Sequence, residues 1–275
     1  MTINCKGILV SLERPKVMGI LNATPDSFYE NSRITETEVL KKATQMLVDG
    51  ADFLDVGGYS SRPNADEVLE ITESQRVVPI IRSLVKEFPN LPISVDTFRS
   101  EIARQCLLEG AAMVNDISAG QLDEKMWDVV AEFQVPYIAM HLRGTPQTMN
   151  QFTDYENIVT EMIHYFSKIK AKAQLWGIND CIIDPGFGFS KTLDQNYEVL
   201  QKMELFQSLD SPILVGFSRK SMLYNLLGVD SSKALNATTV VNTIALMKGA
   251  SILRVHDVKE AVECVNIFNK TSENE

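Results

Sequence analysis

Short hydrophobic runs recur along the chain, and most of them end in polar side chains. Between most of these runs lies a stretch whose apolar residues recur with helical spacing. Alternating strands and helices, with polar groups at the carboxyl ends of the strands, are typical of a (β/α)₈ TIM barrel with its active site on that face. The polar residues that follow the runs are Asn22, Asp55, Asp96, Asn115, Asp116, His141, Asp184, Lys220, Arg254 and His256.

The pattern also predicts where the elements begin and end. A β-hairpin is expected over residues 1–14, with Lys6-Gly7 as its turn. The first helix is expected to begin at a capping box of Thr35 and Glu38, and the polar tail 271–275 is expected to fray. No linker interrupts the pattern, so residues 1–275 are predicted to form a single domain. The predicted barrel strands are 17–21, 53–56, 93–96, 113–116, 137–141, 181–184, 213–217 and 252–255.

Composition narrows the class of protein. The 275 residues are 45% hydrophobic and 23% charged, which suits one barrel. A net charge of −10 disfavours nucleic acid as a partner, because phosphate binding needs a broad basic surface. No apolar run is long enough to cross a bilayer, and no signal peptide is visible. Four scattered cysteines predict free thiols, and we expect a cytoplasmic protein without membrane contact.

Three of the polar residues suggest a pocket for a flat heterocycle. Asp96, Asn115 and Asp184 are predicted to lie on alternating strands and to converge inside the barrel mouth. Carboxylates and a carboxamide together accept and donate hydrogen bonds, which suits a ring that bears amide and amidine groups. Lys220 adds a cation nearby.

A second set suggests an anion site. Arg254 and His256 are two residues apart on the last strand, so their side chains are expected on the same side. Asn22 ends the first strand, which adjoins the last strand once the barrel closes. Together they suit pyrophosphate and Mg²⁺, because this ion takes oxygen ligands and keeps most of its waters. The alternative for Arg254 is a structural salt bridge, which the neighbouring His256 disfavours.

Other motifs are excluded. DPGFGFSKT is not a phosphate-binding P-loop, because Ser190 stands where that loop needs glycine before its lysine. GxGxxG is absent, which removes the dinucleotide fingerprint. Neither HxH nor HExxH occurs, so a histidine-rich hydrolytic zinc site is not expected.

Seven ordered motifs resemble those of the dihydropteroate synthases of folate biosynthesis. They are MGILNATPDSF, DVGGYSSRP, SVDT, VNDISAG, IDPGFGFSK, GFSRKS and SILRVHDV. The resemblance implies a pterin-binding domain and a transferase that forms a C–N bond. It would join 6-hydroxymethyl-7,8-dihydropterin pyrophosphate to p-aminobenzoate, giving 7,8-dihydropteroate and pyrophosphate. Loss of pyrophosphate is expected first, and sulfonamides are the expected inhibitors.

The resemblance also implies a role for each matched residue. The catalytic set would be Asp26, Asp96, Asp184, Lys220, Arg254 and His256. The pterin would be held by Asp96, Asn115, Met140, Asp184, Phe189, Gly216 and Lys220. Pyrophosphate would contact Asn22, Arg254 and His256, with Asn22 also the Mg²⁺ ligand. The p-aminobenzoate pocket would involve two mobile loops and a helix start: Phe28, Ser61, Arg62, Pro63 and Ser221. With these roles assigned, Asp55, Asp116 and His141 are interpreted as supporting residues.

Further expectations follow from the same resemblance. A homodimer is expected, with Val240, Ile244 and Leu246 as candidates for the interface, although these residues could instead face the barrel. The first loop, SFYENSR, lacks the Gly-rich acidic continuation usual in the family, and Asn64 replaces a frequent glycine in the second loop. Both changes are expected to affect loop closure. The alternatives are a pterin-dependent methyltransferase domain and a non-catalytic pterin-binding protein.

Overall fold

A barrel of parallel strands surrounded by helices forms the protein, as the sequence predicts. The computed structural model describes the backbone of residues 1–23, 32–59 and 68–272, with all their side chains except those of 32–35 and 272. Within these residues, eight parallel strands form one sheet, in which the last barrel strand of the chain pairs with the first. A bridge between Ile183 and Ile213 brings the two ends of the sheet together. The (β/α)₈ prediction is therefore confirmed.

The strands and helices alternate along the chain. The strands are β1 Thr2–Cys5, β2 Ile8–Ser11, β3 Lys16–Asn22, β4 Phe53–Gly57, β5 Ile93–Asp96, β6 Met113–Asp116, β7 Tyr137–Met140, β8 Cys181–Asp184, β9 Leu214–Val215 and β10 Ile252–Val255. The helices are α1 Ser32–Val48, α2 Glu70–Glu87, α3 Ser100–Leu108, α4 Met126–Phe133, α5 Ile158–Leu175, α6 Leu193–Gln201, α7 Ser221–Leu227, α8 Leu235–Met247 and α9 Val258–Ser272. Short 3-10 helices lie at Met149–Gln151, Met203–Leu209 and Ser231–Lys233.

The amino end of the barrel is filled by apolar side chains and covered by the hairpin. Strands β1 and β2 pair in antiparallel fashion around Lys6 and Gly7, which both have positive φ. The hairpin is tied to the barrel by bonds from Asn4 N to Asp180 Oδ2 (2.8 Å) and from Lys6 Nζ to Leu107 O (2.9 Å). We call the apolar cluster beneath it the plug layer: Ile3, Cys5, Leu12, Met18, Phe53, Ala112, Met113, Ile138, Ile182, Leu214 and Ile252.

The opposite faces of the strands pack against the helices. Residues next to the plug layer in sequence, such as Val17, Leu54 and Val114, are fully buried in two large clusters with helix side chains. This follows from the two-residue period of a strand, which turns neighbouring side chains to opposite faces. Burial on both faces explains why the strands appear in the sequence as nearly continuous hydrophobic runs.

Capping fixes the start of α6, which follows the strand–helix connection after β8. The Thr192 hydroxyl accepts a bond from Gln195 N (3.3 Å), and the Gln195 side chain accepts one from Thr192 N (2.9 Å). This reciprocal capping box satisfies two backbone donors at the helix start. It therefore fixes one end of the connection 185–191, whose other end is strand β8.

Some predicted boundaries are wrong. Helix α1 begins at Ser32, because no proline or glycine in 32–34 stops it from extending before Thr35. Strand β9 covers only Leu214–Val215, since the chain turns where Lys220 N bonds Phe217 O. Helix α9 continues to Ser272, so part of the expected tail is helical. None of the helices in the described parts of the chain is long and apolar enough to cross a membrane.

Candidate active site

A ring of mostly polar side chains lies one layer above the plug layer. Most members follow a plug residue by two positions in the sequence, so both point to the barrel axis. The pairs are Phe53 with Asp55, Met113 with Asn115, Ile138 with Met140, Ile182 with Asp184, Leu214 with Gly216, and Ile252 with Arg254. Asp96 pairs with Asn115 in the register of β5 and β6. The prediction that Asp96 and Asn115 lie on alternating strands is wrong, because these strands are neighbours.

Arg254 joins two carboxylates of this ring. Its Nε lies 2.6 Å from Asp55 Oδ2, and its NH2 lies 2.5 Å from Asp96 Oδ2. Burial alone would lower the pKa of Arg254, but the two carboxylates raise it above its ordinary value. The salt-bridge alternative, disfavoured from the sequence, is therefore what the structure contains. Arg254 links the heterocycle residues to the anion residues, so the two sets are not separate.

Asp55 is the hub of this network. Its Oδ2 also accepts a bond from Asn115 Nδ2 at 3.0 Å, and the residue has no exposed surface. Its other oxygen, Oδ1, is buried and has no hydrogen-bond partner among the described residues. The sequence interpretation of Asp55 as a supporting residue fits these contacts, because it orients Arg254 and Asn115.

Burial changes the acidity of the ring. Desolvation raises the pKa of Asp96 above its ordinary range, and Arg254 opposes that rise. Desolvation also raises the pKa of Asp184, opposed chiefly by Lys220. Asp184 Oδ1 accepts a bond from Gly186 N at 2.8 Å, which fixes the carboxylate at the end of β8. Nearby cations therefore oppose the protonation of both acids that burial favours.

Lys220 supplies one of these cations. Its Nζ donates to Phe187 O at 2.5 Å and lies 4.7 Å from the centre of the Phe189 ring. Burial lowers the pKa of Lys220 to about 8, although Asp184 raises it. Lys220 immediately precedes α7, so Ser221 is the first residue of that helix and is exposed.

An apolar wall stands beside the charged groups. Met140 is buried in a cluster with Ile117, Leu142 and Met149, and Phe98 and Phe189 pack against it. Gly216 follows β9 and leaves open space beside Arg254 and Lys220. A Cβ built there would meet its nearest atoms, in Arg254 and Lys220, only at 3.8–3.9 Å. The ring therefore combines a flat apolar wall with donors and acceptors, as a heterocycle pocket needs.

The anion residues lie at the rim. Asn22 ends β3 and is partly buried, and β3 pairs with β10 as predicted. His256 follows β10, is exposed, and has its Nδ1 3.0 Å from Ser218 Oγ, which also accepts from His256 N at 3.2 Å. The next residue, Asp257, pairs with the Arg219 guanidinium through two bonds of 2.9 and 2.7 Å. These contacts fix the end of β10 against the connection that carries Lys220.

Two strand-end residues belong to the supporting structure. Asp116 accepts bonds from Ser118 N (2.7 Å), Gly120 N (2.8 Å) and the Tyr137 hydroxyl (2.7 Å), which holds the turn after β6. His141 follows the inward-facing Met140 and therefore points the other way. The supporting roles predicted for both residues fit these positions.

Five candidate residues lie outside the described residues. They are the loop residues Asp26, Phe28, Ser61, Arg62 and Pro63. Two hydrogen bonds hold the described residues on either side of the second loop. Arg76 Nη1 donates to Gly58 O at 3.2 Å, and Arg99 Nη2 donates to Val68 O at 2.7 Å.

Sequence reasoning missed three functional neighbours. Ser218 positions His256, and its place in the GFSRKS motif was the available signal. Glu73 is fully buried and bonds to Arg99 and Thr97, yet helical spacing alone marks it as an ordinary helix residue. Lys191 ends the IDPGFGFSK motif and is only 9% exposed, whereas a lysine after a loop normally suggests an exposed side chain.

The donors available for a divalent cation are few. In the described part of the chain, no three His, Cys, Asp or Glu side chains form a metal-binding group. Mg²⁺ commonly takes only one or two protein oxygens and completes its shell with water and substrate phosphates. The Asn22 carboxamide, at the end of β3 on the active face, fits such a single-ligand site.

Comparison with known proteins agrees with this geometry. The family model described as "Pterin binding enzyme" matches residues 18–256. The dihydropteroate synthase of Escherichia coli is 40% identical, over 98% of this chain and 96% of its own length. The protein of that name from Synechocystis is also 40% identical, over 93% and 89% of the two chains.

Solved structures are similar over the same extent. Yersinia pestis dihydropteroate synthase with a sulfonamide drug superposes with a TM-score of 0.93 at 37% identity, covering 99% of this chain and 100% of its own. The Xanthomonas albilineans enzyme with 4-aminobenzoic acid gives a TM-score of 0.90 at 34% identity, covering 98% of both chains.

The barrel, its polar ring and the family match define the class as the pterin binding enzymes. The similarity extends over nearly the whole length of both the curated relatives and the solved structures. Within that class, the chain belongs to the dihydropteroate synthase family and is a transferase. The resemblance inferred from the seven motifs is confirmed.

Proposed function

We propose that this protein condenses 6-hydroxymethyl-7,8-dihydropterin pyrophosphate with p-aminobenzoate, forming 7,8-dihydropteroate and pyrophosphate in folate biosynthesis. The observation that carries the proposal is the ring of buried Asn115 and Asp184 and partly buried Asp96 and Lys220, beside the wall of Met140 and Phe189. The ring offers both donors and acceptors to the edge of a pterin. The relatives named dihydropteroate synthase support the same reaction.

The pterin half is recognised by charge as well as by hydrogen bonds. Asp96 and Asp184 accept from ring N–H and amino groups, and Lys220 donates to a ring acceptor. The two carboxylates also favour positive charge that builds up on the ring when the C–O bond breaks. The electron-rich ring delocalises that charge, so pyrophosphate leaves first. The aryl amine then attacks the cationic carbon without prior deprotonation, and the new C–N bond is followed by loss of one N–H proton to water or to the released pyrophosphate.

The leaving group is held at the rim by the anion residues. His256, fixed by Ser218, and Arg254 offer donors to pyrophosphate, and Arg254 Nε stays bonded to Asp55. Asn22 would hold Mg²⁺ through its carboxamide oxygen. When bound, this ion neutralises charge that develops on the departing oxygens. Arg254 and His256 orient the leaving group along the direction in which the bond breaks.

The second substrate lies toward α7 and the two loops. The carboxylate of p-aminobenzoate is proposed to lie at the start of α7, near Lys220 and Ser221. The lysine cation and the backbone N–H donors at this helix start favour an anion. Phe28, Ser61, Arg62 and Pro63 are proposed to enclose the aryl ring, and Asp26 to stabilise the cation. These five loop assignments rest on the motif resemblance.

One assay tests the reaction. The protein is mixed with the dihydropterin pyrophosphate, p-aminobenzoate and Mg²⁺, and dihydropteroate and pyrophosphate are measured by chromatography. Both products are expected in equal amounts, and omission of p-aminobenzoate should prevent dihydropteroate formation. Binding of the pterin substrate without any product would contradict the proposal and favour a non-catalytic pterin-binding protein.

A homodimer is a further proposal, supported by an exposed apolar surface on α7 and α8. Val240 is 50% and Ile244 36% exposed, and Leu226 and Leu227 are exposed nearby. Leu246, the third residue suggested from the sequence, is buried and belongs to the core instead. Sedimentation velocity should give a mass near twice 30.8 kDa. A single species of monomer mass would contradict it.

A reducing compartment, the cytoplasm, is also proposed. Its support is that Cys5, Cys106, Cys181 and Cys264 are all free and buried. Fractionation of the source cells, followed by detection of the protein in the soluble or the membrane fraction, tests this location. Recovery with the membrane would contradict it.

A further inference from the structure

A buried lysine lies behind the pterin pocket, and the proposed reaction gives it no role. Lys191 Nζ is within hydrogen-bond distance of three acceptors. They are Gly186 O (3.0 Å), Phe189 O (3.0 Å) and His141 Nδ1 (3.3 Å). A buried ammonium is costly unless it is paired or hydrogen-bonded, so this arrangement needs an explanation.

Lys191 and Lys220 both donate hydrogen bonds to the same connection, residues 185–191. Lys220 Nζ donates to the carbonyl oxygen of Phe187, while Lys191 Nζ donates to those of Gly186 and Phe189. Three carbonyls of one short segment are thus directed at two ammonium groups. Lys220 also faces the pocket, whereas Lys191 shares its contacts with His141, which points away from the barrel axis.

This hydrogen-bonded connection, 185–191, fixes the position of two walls of the pocket. Gly186 N donates to Asp184 Oδ1, so the position of the Gly186 peptide decides where that carboxylate lies. Phe189 N bonds Gly186 O, and the Phe189 ring packs beside Met140. Gly186 itself has φ +66°, and a Cβ there would lie 2.4 Å from His141 O. The segment is therefore tightly fitted, and Lys191 is its internal brace.

We propose that Lys191 is a positioning residue for the pterin: its ammonium holds the 185–191 connection so that Asp184 and Phe189 face the bound ring. The proposal deepens the proposed function and depends on it for the identity of the ligand. Lys191 acts through Gly186 and Phe189 and does not touch the substrate. Its role depends on its proton, because only the ammonium has three donors for three acceptors.

The charges around Lys191 make this role sensitive to pH. Burial lowers the pKa of Lys191 to about 7; Asp184 opposes that shift, whereas Lys220 and Arg143 add to it. Burial, aided by Lys191 and Arg143, lowers the pKa of His141 well below its ordinary value. His141 is therefore neutral near pH 7 and can accept at Nδ1. As the pH rises through about 7, the brace loses a donor and the pocket is expected to loosen.

The test compares Lys191→Met with wild type and with Lys202→Met. Lys202 is a matched control, because it lies nearby on the surface in an i,i+4 pair with Glu198. The dissociation constant of the dihydropterin pyrophosphate is measured by calorimetry without p-aminobenzoate, between pH 6 and 9. Lys191→Met is expected to bind at least about 10-fold more weakly at pH 6.5, and Lys202→Met within about twofold. Wild type should weaken near pH 7 and again near pH 8, where Lys220 titrates.

The pH profile separates a brace from a merely structural lysine. Relative to wild type, Lys191→Met should lose the weakening near pH 7 and keep the one near pH 8. The pKa of Asp96 is also about 7, but Asp96 titrates in both proteins and its ionisation would strengthen pterin binding. Unchanged affinity, or a profile like that of wild type, would overturn the proposal. If the methionine variant does not fold, Lys191→Gln, which keeps a neutral donor, serves for the same measurement. Because binding is measured without turnover, failure of the reaction assay would refute the proposed function and leave this test intact.

Discussion

The two ends of the barrel are built on different principles. At the amino end, the plug layer and hairpin bury apolar side chains such as Met18, Phe53 and Ile252 with almost no exposed surface. One layer higher, the same strands present Asp55, Asn115, Asp184 and Arg254. The pKa shifts of Asp184 and Arg254, together with the unpartnered Asp55 Oδ1, reflect charges that the barrel has only partly compensated.

The difference separates stability from function along a single axis. Burial of apolar area at the amino end stabilises the fold without directional requirements. The polar ring stabilises less, since buried ion pairs lose much of their attraction to desolvation, but it is preorganised for a charged ligand. Substitutions at the amino end should therefore change unfolding, and substitutions in the ring should change catalysis. The following predictions test that division.

The largest effect is expected from Arg254→Met. This variant should lose both stability and turnover, so it is the exception to the separation of stability from function. Loss of the guanidinium leaves Asp55 and Asp96 unpaired, which should cost about 3–5 kcal/mol of unfolding free energy. Turnover should fall at least about 100-fold. Denaturant unfolding and steady-state kinetics measure both quantities.

The stability loss in Arg254→Met should depend on pH. Without the cation, the pKa of Asp96 in the folded state rises further above its unfolded value, so ionisation opposes folding. The deficit should therefore be larger at pH 8 than at pH 5, where the carboxyl is protonated. Arg104→Met, at a surface pair with Glu132, is the control. A deficit that does not change with pH would mean that the carboxylates are not responsible.

Phe53→Ala tests the amino end by itself. Removing this fully buried ring from the plug layer should lower the unfolding free energy by about 3–5 kcal/mol. The KM for the pterin substrate, measured where the variant is still folded, should stay within about twofold of wild type. Phe152→Ala, at a half-exposed position, should be nearly neutral in both measurements. A rise in KM comparable to that of a ring variant would show that the two ends are not separable.

His256→Ala tests the rim. Turnover is expected to fall by roughly 10–100-fold, because a donor to the leaving group is lost. Affinity for a pterin without pyrophosphate should change less than about twofold, and stability little, since the side chain is exposed. Binding and kinetics are measured in parallel. An equal loss of pterin affinity and turnover would contradict the assignment of His256 to pyrophosphate.

Gly216→Ala should have the smallest effect. The added methyl lies at ordinary contact distance from Arg254 and Lys220, so unfolding free energy should change by only about 0.5 kcal/mol. The methyl occupies space that the pterin ring needs, so the KM for the pterin substrate should rise by about 5–10-fold. Kinetics at fixed p-aminobenzoate give this number. An unchanged KM would mean that the pterin ring lies elsewhere in the mouth of the barrel.

The sequence predicts the layers of the barrel better than the contacts within them. Hydrophobic runs with a polar residue near the end of each identify the strands, and the two-residue period places Asp184 and Asn115 inward. The carboxylate partners of Arg254 depend on barrel curvature and strand register. Neither can be read from a local sequence pattern. Lys191 was missed for a similar reason: one of its buried contacts is with His141, fifty residues earlier in the chain.

The bond between Arg254 and Asp96 has a thermodynamic consequence. In the proposed assignment, one carboxylate serves both the pterin edge and the cation that faces pyrophosphate, so occupation of either half should alter the binding free energy of the other. A free pterin and inorganic pyrophosphate should bind with a measurable coupling free energy. Reciprocity requires each to change the affinity of the other by the same factor. The two halves of the natural substrate are therefore expected to bind non-additively.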